Sequence, residues 1–411
     1  MRVAFLLKDL QLSGGVGVVL THARNLAEEH GFDVTLVTTE AQEEPDWQYD
    51  HLAHLHVLSL ADASSREYDV AVSTWWETAY QLFLLRAERY ASFVQSLEDR
   101  FYATHESVDR LGARASLDLP VAFITEAGWI AEQLADLRPD SQVHLVRNGI
   151  DKETFPLAEG FEESDGTHLR VLVEGSPESW FKGVPAAIRS VEQMAEPHKL
   201  TLVCPNRANL KPAWAAQAIG PLAPAELCEL YSGTDVLLKL SHVEGMYGPP
   251  LEAFHRGATC VTTEVTGHEE FIRHGENALV CDWDDERGTA AQLDMLARDR
   301  KLLRRLRTGA LETARNWPDW SQSSSEMAAA LRSIAGSPPP SPSAGAAALT
   351  QTLSVGVERE RGARGHYRKT AADAGRWRRF SSLPGMKQLF ALRRWVKRVS
   401  GRELGEHRLD R

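Results

Sequence analysis

The sequence predicts an α/β protein built from two doubly wound parallel-sheet domains that face each other across a cleft. Three observations carry this expectation. Short apolar runs alternate with helical stretches from the N-terminus onward, the series starts afresh after Asn148-Gly149, and 411 residues exceed what a single hydrophobic core keeps absorbing.

Taken in order, the first half opens with an apolar strand at residues 3–7, a helical stretch at 16–29 and a second strand at 33–38, one complete βαβ unit. Strands at 69–74, 121–125 and 143–146 continue it. The second half contributes strands at 169–173, 199–203, 236–240, 259–263 and 278–280. This βαβ rhythm points to parallel sheets covered on both faces. The expected boundaries are 1–147 for the first domain and 148–335 for the second. Residues 336–357 read as a disordered linker, because Pro, Ser, Ala and Gly offer too little apolar surface to offset the entropy of ordering. Residues 358–411 form a basic tail.

Four cysteines, Cys204, Cys228, Cys260 and Cys281, show no metal-ligand spacing and no disulfide framework. The apolar run at 3–7 is cut off by Lys8 and Asp9, and no stretch approaches membrane-spanning length. A cytoplasmic protein in a reducing compartment is the expectation. The net charge of −11 hides an asymmetry: residues 358–411 hold 16 Lys+Arg against 6 Asp+Glu, a charge of +10 that leaves −21 on the rest. Within the tail, Leu389, Leu392, Trp395, Val396 and Val399 gather on one helical face of 386–399. Lys387, Arg394, Lys397 and Arg398 gather on the other, with Met386 and Phe390 spoiling the separation. Such a helix suits peripheral contact with an anionic membrane surface at its inner face; docking on the acidic body or on a partner competes, and nucleic acid is not the expected partner.

The most informative stretch is Glu244–Gly257, EGMYGPPLEAFHRG. Pro249 suits a first helical position and Gly257 a C-terminal cap, so a helix is expected over 249–256. Its N-terminus faces the Met246-Tyr247-Gly248 turn, whose backbone N–H groups and helix dipole suit an anion such as a diphosphate. Glu244 and Glu252 would flank that anion. Carboxylates accept hydrogen bonds from vicinal diols, so one could hold a transferred sugar and the other a ribose. The plainer reading is a loop acid and a helix-start acid favoured by the dipole.

Two features of the first half join this. Ser13-Gly14-Gly15-Val16-Gly17 follows the first strand and opens a helix, where Gly14, Gly15 and Gly17 could admit a ligand or simply permit tight packing. As a dinucleotide fingerprint the run is incomplete, since Leu20 stands where the third glycine belongs. Trp75 and Trp76 follow the strand at 69–74, where aromatic pairs either stack on sugars or fill the core. His105 reads as structural.

Several of these segments resemble a known family in the same order along residues 1 to about 335. EGMYGPPLEA with its E-x7-E spacing, followed by RGATCVTTEVTGHEEFIRHGENALV, resembles the donor-site signature of the retaining family 4 glycosyltransferases of the GT-B fold, two Rossmann-like domains around a cleft. Asn148-Gly149-Ile150-Asp151 is similar to the family's NGxD crossing, Leu230–Val236 to its LYxxADV segment and Lys182-Gly183 to its KG. Gln95 and Glu98 resemble a QxxE segment found in some polysaccharide-building members. The resemblance implies retaining transfer from a nucleotide sugar to a glycan or lipid-linked acceptor in surface polysaccharide or glycoconjugate synthesis. It implies Glu244 and Lys182 at the transfer centre, and Gly14, Gly15, Gly17, Met246, Tyr247, Gly248 and Glu252 around the donor. It also implies Trp75, Trp76, Gln95 and Glu98 near the acceptor. No cofactor or metal is expected; Asp282-Trp283-Asp284 spells D-x-D but reads as a turn and helix cap. One departure stands out: Ser176 occupies the place where the family carries an arginine. A nucleotide-sugar-binding subunit without turnover is therefore the alternative, and a dinucleotide oxidoreductase a remote one.

Overall fold

The computed structural model describes residues 1–11, 13–40, 55–103, 105–161, 167–204, 210–215, 218–338 and Ser354. The tail, with the helix expected at 386–399, and most of the linker lie outside the described residues.

Seven parallel strands form the first sheet: β1 Arg2–Leu7, β2 Asp33–Thr38, β3 His56–Ser59, β4 Glu67–Ser73, β5 Arg86–Val94, β6 Ala122–Thr125 and β7 Val143–Leu145, in the order β3-β2-β1-β4-β5-β6-β7. Six parallel strands form the second: β8 Leu169–Glu174, β9 His198–Val203, β10 Ala218–Ile219, β11 Val236–Lys239, β12 Thr259–Thr263 and β13 Ala278–Cys281, in the order β10-β9-β8-β11-β12-β13. In both sheets the order reverses beside the opening strand, between β1 and β4 and between β8 and β11. Loops at the carboxyl ends of those strands diverge there and leave a crevice.

Side-chain alternation distributes each core over two faces. In β1, Ala4 and Leu6 face a cluster with Trp76, Phe123, Trp129 and Ile130, while Val3, Phe5 and Leu7 face the helix Gly14–Glu28. The missed strand β5 has the sequence RAERYASFV, whose charged first half is partly exposed and breaks any continuous apolar run. Only its second half is buried, where it lies between β4 and β6.

The last helix corrects the expected boundary at residue 335. Trp320–Ala335 packs on the first sheet, with Met327, Ala328, Leu331 and Ile334 in the same cluster as Phe5 and Leu20. Its amphipathic stripe says that it covers a sheet but not which one. Polar groups fix it there: His22 Nδ1 and Ser324 Oγ are 3.1 Å apart, and Asn25 Nδ2 donates to Ser324 Oγ and to the Trp320 carbonyl. Burial pushes the His22 imidazole down to about 3, so it packs as a neutral ring against Phe93 and Trp320. The chain thus crosses between halves twice, side by side. Ile150 N donates to the Pro318 carbonyl, Trp317 Nε1 to the Asn148 carbonyl and Lys152 Nζ to the Trp317 carbonyl.

Candidate functional site: a cleft between the two switch points

Loops from both reversal points meet in the cleft. After β8 the chain makes a turn ending in a short helical turn, Trp180–Lys182, and Gly183 in the left-handed region at φ 64°. A Cβ on Gly183 would collide with the Leu240 carbonyl, so this glycine lets the β8 loop lie directly on the β11 loop. Lys182 is thereby carried to Glu244: its Nζ lies 3.0 and 2.9 Å from the two carboxylate oxygens. Burial alone would raise the Glu244 carboxyl, but the charges of Lys182 and Lys239 outweigh it and hold the group below its ordinary range. The two residues expected at the transfer centre are therefore joined as an ion pair.

Glu252 lies on the helix Gly248–His255, which starts one residue earlier than expected with both prolines in its first turn. Its carboxylate lies 3.4 Å from the Tyr231 hydroxyl, which donates to Glu174 at 2.7 Å. Burial and the charge of Glu174 lift Glu252 to about 8. The turn before the helix differs from expectation in two ways. Tyr247 is fully buried, with its hydroxyl 2.8 Å from both the Lys239 carbonyl and Thr262 Oγ1, so only its backbone borders the cleft turn. The Met246 N–H is already engaged by Glu126 Oε1 at 2.9 Å, and the Gly248 N–H by the Met246 carbonyl. The open ground lies beyond Gly248, where a Cβ would meet nothing within 4 Å.

In the first half, Ser13 caps the helix Gly14–Glu28 by accepting from Val16 N. A Cβ on Gly14 would also face open space, whereas one on Gly15 would press on Gln95. Gly17 is a first-turn helical residue whose N–H donates to the Ser13 carbonyl. Gln95 is the tie between halves: Nε2 donates to the Gly15 carbonyl at 3.3 Å, and its own carbonyl sits so close to Gly245 that any side chain there would collide. Trp129 Nε1 donates to the Gly245 carbonyl, and Arg100 donates to Thr266.

Two expected acceptor residues are engaged within the first half, although with Trp75 they line one cavity at the carboxyl ends of β4 and β5. Trp76 is 3% exposed and donates through Nε1 to the Tyr102 hydroxyl, so it is core. Glu98 accepts from Trp76 N at 2.6 Å, which occupies it as a cap for the helix Trp76–Gln81; burial raises it well above the usual carboxyl range. Trp75 stays half-buried, stacked on Phe101 at 6.1 Å. His105 is exposed. Asp284 takes a left-handed turn at φ 58°, and the following helix is capped by Asp285 rather than by either aspartate of D-x-D.

Sequence reasoning passed over Glu126 and Glu174. Glu126 follows β6 and accepts from Met246 N and from Asn148 Nδ2 at 2.8 Å, thereby joining the first half, the crossing and the glycine turn. Burial raises its carboxyl to about 7. Glu174 ends β8. Both stand at the carboxyl ends of parallel strands, which is the signal that could have found them. Among the described residues no group of three or more acidic, His or Cys side chains could hold a metal ion, and no helix is long and apolar enough to cross a membrane.

Comparison with known proteins is consistent with this geometry. A family model described as Glycosyl transferases group 1 matches residues 169–299, which takes in all six strands of the second sheet but stops before the helix Arg300–Asn316. Over 87 residues, 21% of the chain, the sequence is 34% identical to N-acetyl-alpha-D-glucosaminyl L-malate synthase of Bacillus anthracis, and that match spans 23% of the relative. In structure, 81% of the chain superposes on 98% of sucrose-phosphate synthase from Thermosynechococcus elongatus, with a TM-score of 0.66 and 16% identity. The same share superposes on all of the Anabaena protein HepE in complex with UDP and glucose, at 0.63 and 14%. The chain has the GT-B fold of these two-domain proteins.

Proposed function

We propose that this chain is a retaining glycosyltransferase that moves a sugar from a nucleoside-diphosphate sugar to a glycan or glycolipid acceptor. The Lys182–Glu244 pair at the switch point of the second sheet carries the reading. Free, the two neutralise each other in a partly buried site. With a donor bound, Lys182 turns to the diphosphate and stabilises the charge that develops as the glycosidic bond breaks, while Glu244 accepts from hydroxyls of the transferred sugar. Preorganised charge of this kind is commonly the largest catalytic contribution. The diphosphate lies over Gly14 and Gly248, two glycines of the facing loops where an added Cβ would meet nothing, with the N-terminus of Gly248–His255 beneath it. Glu252 holds the ribose. The leaving phosphate accepts the acceptor proton, so no separate base and no metal is needed. An acceptor in surface polysaccharide or glycoconjugate synthesis, and membrane contact through 386–399, extend the same proposal.

A second reading, a donor-binding subunit without turnover, draws on Ser176, since a hydroxyl supplies no permanent cation beside Lys182. Thermal unfolding with UDP, GDP, dTDP and ADP tests the shared part: a nucleotide at about 100 times its Kd adds about 2.7 kcal/mol. UDP leads the panel because HepE was solved with it. Stabilisation by none overturns the donor site. Glu244→Ala then separates the readings, because the enzyme loses product formation on this change whereas a non-catalytic subunit forms no product to lose.

A further inference from the structure

We infer that an aromatic platform running out of the cleft over the second half is a binding surface for an uncharged saccharide chain. Six rings follow one another in contact. Trp75 stacks on Phe101 at 6.1 Å and 13°, Phe101 meets Phe181 at 5.0 Å, Phe181 meets Trp180 at 5.9 Å, Trp180 meets His242 at 6.0 Å, and His242 meets Trp283 at 5.3 Å. They come from loops of both halves, and backbone contacts fix them: Trp180 Nε1 donates to the Phe101 carbonyl and His242 N to the Phe181 carbonyl. Trp180 is 52% exposed and Trp283 47%, although a tryptophan gains most from burial. The half-open Trp180 and Trp283 flank His242 with their planes inclined 36° and 84° to its ring, so they present an apolar patch of differently tilted rings rather than one flat face, and nothing among the described residues covers it fully.

The chemistry of the surroundings selects the occupant. Glu178, Asp282 and Asp284 are exposed around the outer rings, and Asp284 lies 3.8 Å from His242 Nε2. That acidic rim repels anionic phospholipid headgroups and nucleic-acid phosphates. Carboxylates beside aromatic faces instead suit a pyranose chain, whose C–H faces cover the rings and whose hydroxyls donate to the acids. The platform is continuous with the transfer centre, since Lys182 Nζ lies 5.6 Å from the centre of the Phe181 ring. A chain lying on it brings one end to the Lys182–Glu244 pair. As an acceptor surface it rests on the transfer reading above; as a saccharide surface it rests on the rings alone.

The test is affinity electrophoresis of the full chain in native gels cast with dextran, mannan, galactan or laminarin. Wild type is retarded by at least one of them. The double variant Trp180→Ala/Trp283→Ala binds about tenfold more weakly, and Trp180→Phe/Trp283→Phe retains most of the affinity. Thermal unfolding with UDP runs in parallel and shows the same nucleotide shift in all three proteins, which certifies the fold and the donor site. Absence of retardation by all four polysaccharides, or equal retardation of wild type and the alanine variant, overturns the proposal. So does sedimentation with phosphatidylglycerol vesicles that the alanine variant loses, which would make the face a lipid surface. Retardation without a nucleotide shift faults the donor assignment and leaves the platform standing.

Discussion

Replacing Glu126 by glutamine removes a titrating group from the joint between the halves while keeping its size. The carboxyl is 5% exposed and accepts from Met246 N and Asn148 Nδ2. Burial moves it from its ordinary 4.5 to about 7 in the folded protein. At about 1.4 kcal/mol per pH unit, that displacement corresponds to about 3 kcal/mol. Its sign follows from the raised value. The folded state keeps the proton up to about pH 7 and the unfolded chain gives it up near 4.5, so the contribution is full below 4.5 and lost as the pH rises to 7. The difference in unfolding free energy between wild type and Glu126→Gln should therefore shift against wild type by about 3 kcal/mol from pH 4.5 to 7 and then level off. Asn148 Oδ1 is buried without a partner among the described residues, so a flip of that amide offers an acceptor to the new NH2 group. Urea unfolding of both proteins at several pH values, followed by tryptophan fluorescence, measures it. Parallel curves across this range would refute the argument that Glu126 is held protonated at the joint.

Glu252, lifted to about 8, should make nucleotide affinity climb about tenfold from pH 7 to 9 if only the ionised carboxylate holds the ribose; calorimetry should find Glu252→Gln independent of pH. Gly245→Ala forces a Cβ into the Gln95 carbonyl and should cost about 1–3 kcal/mol in unfolding free energy, while Gly14→Ala, which meets nothing, should stay within about 0.5 kcal/mol yet weaken UDP binding. Sugar transfer should persist in EDTA; activity abolished by chelation and restored by a divalent ion would remove the metal-free mechanism.

Much of the fold was legible because parallel strands buried on both faces leave continuous apolar runs, and ten of the thirteen strands could be located that way. Those missed are β3, the mostly charged-fronted β5 and the two-residue β10. The pairing of Lys182 with Glu244 was legible only as two separate motifs, because 62 residues separate them in sequence and the loop-on-loop contact at Gly183 brings them together. Direction was the harder property to read. Trp75 and Trp76 are neighbours in sequence and pack on the same cluster, yet Trp76 is buried in it while Trp75 stays partly exposed and stacks on Phe101. Met246 and Tyr247 were expected as parts of one turn, but backbone and side-chain partners elsewhere in the fold decide which of their groups remain open.

The paired crossings at residues 148–152 and 317–320 have a mechanical meaning. One covalent strap between two bodies allows them to twist, slide and fold, whereas two straps bonded side by side act as a pair of pins on one axle and leave a single easy rotation. If the halves move, this arrangement favours a swing about the line through Ile150 and Pro318. Cutting the gene at the first crossing would not yield two separable pieces, because the first would lack the helix Trp320–Ala335 that covers its own sheet.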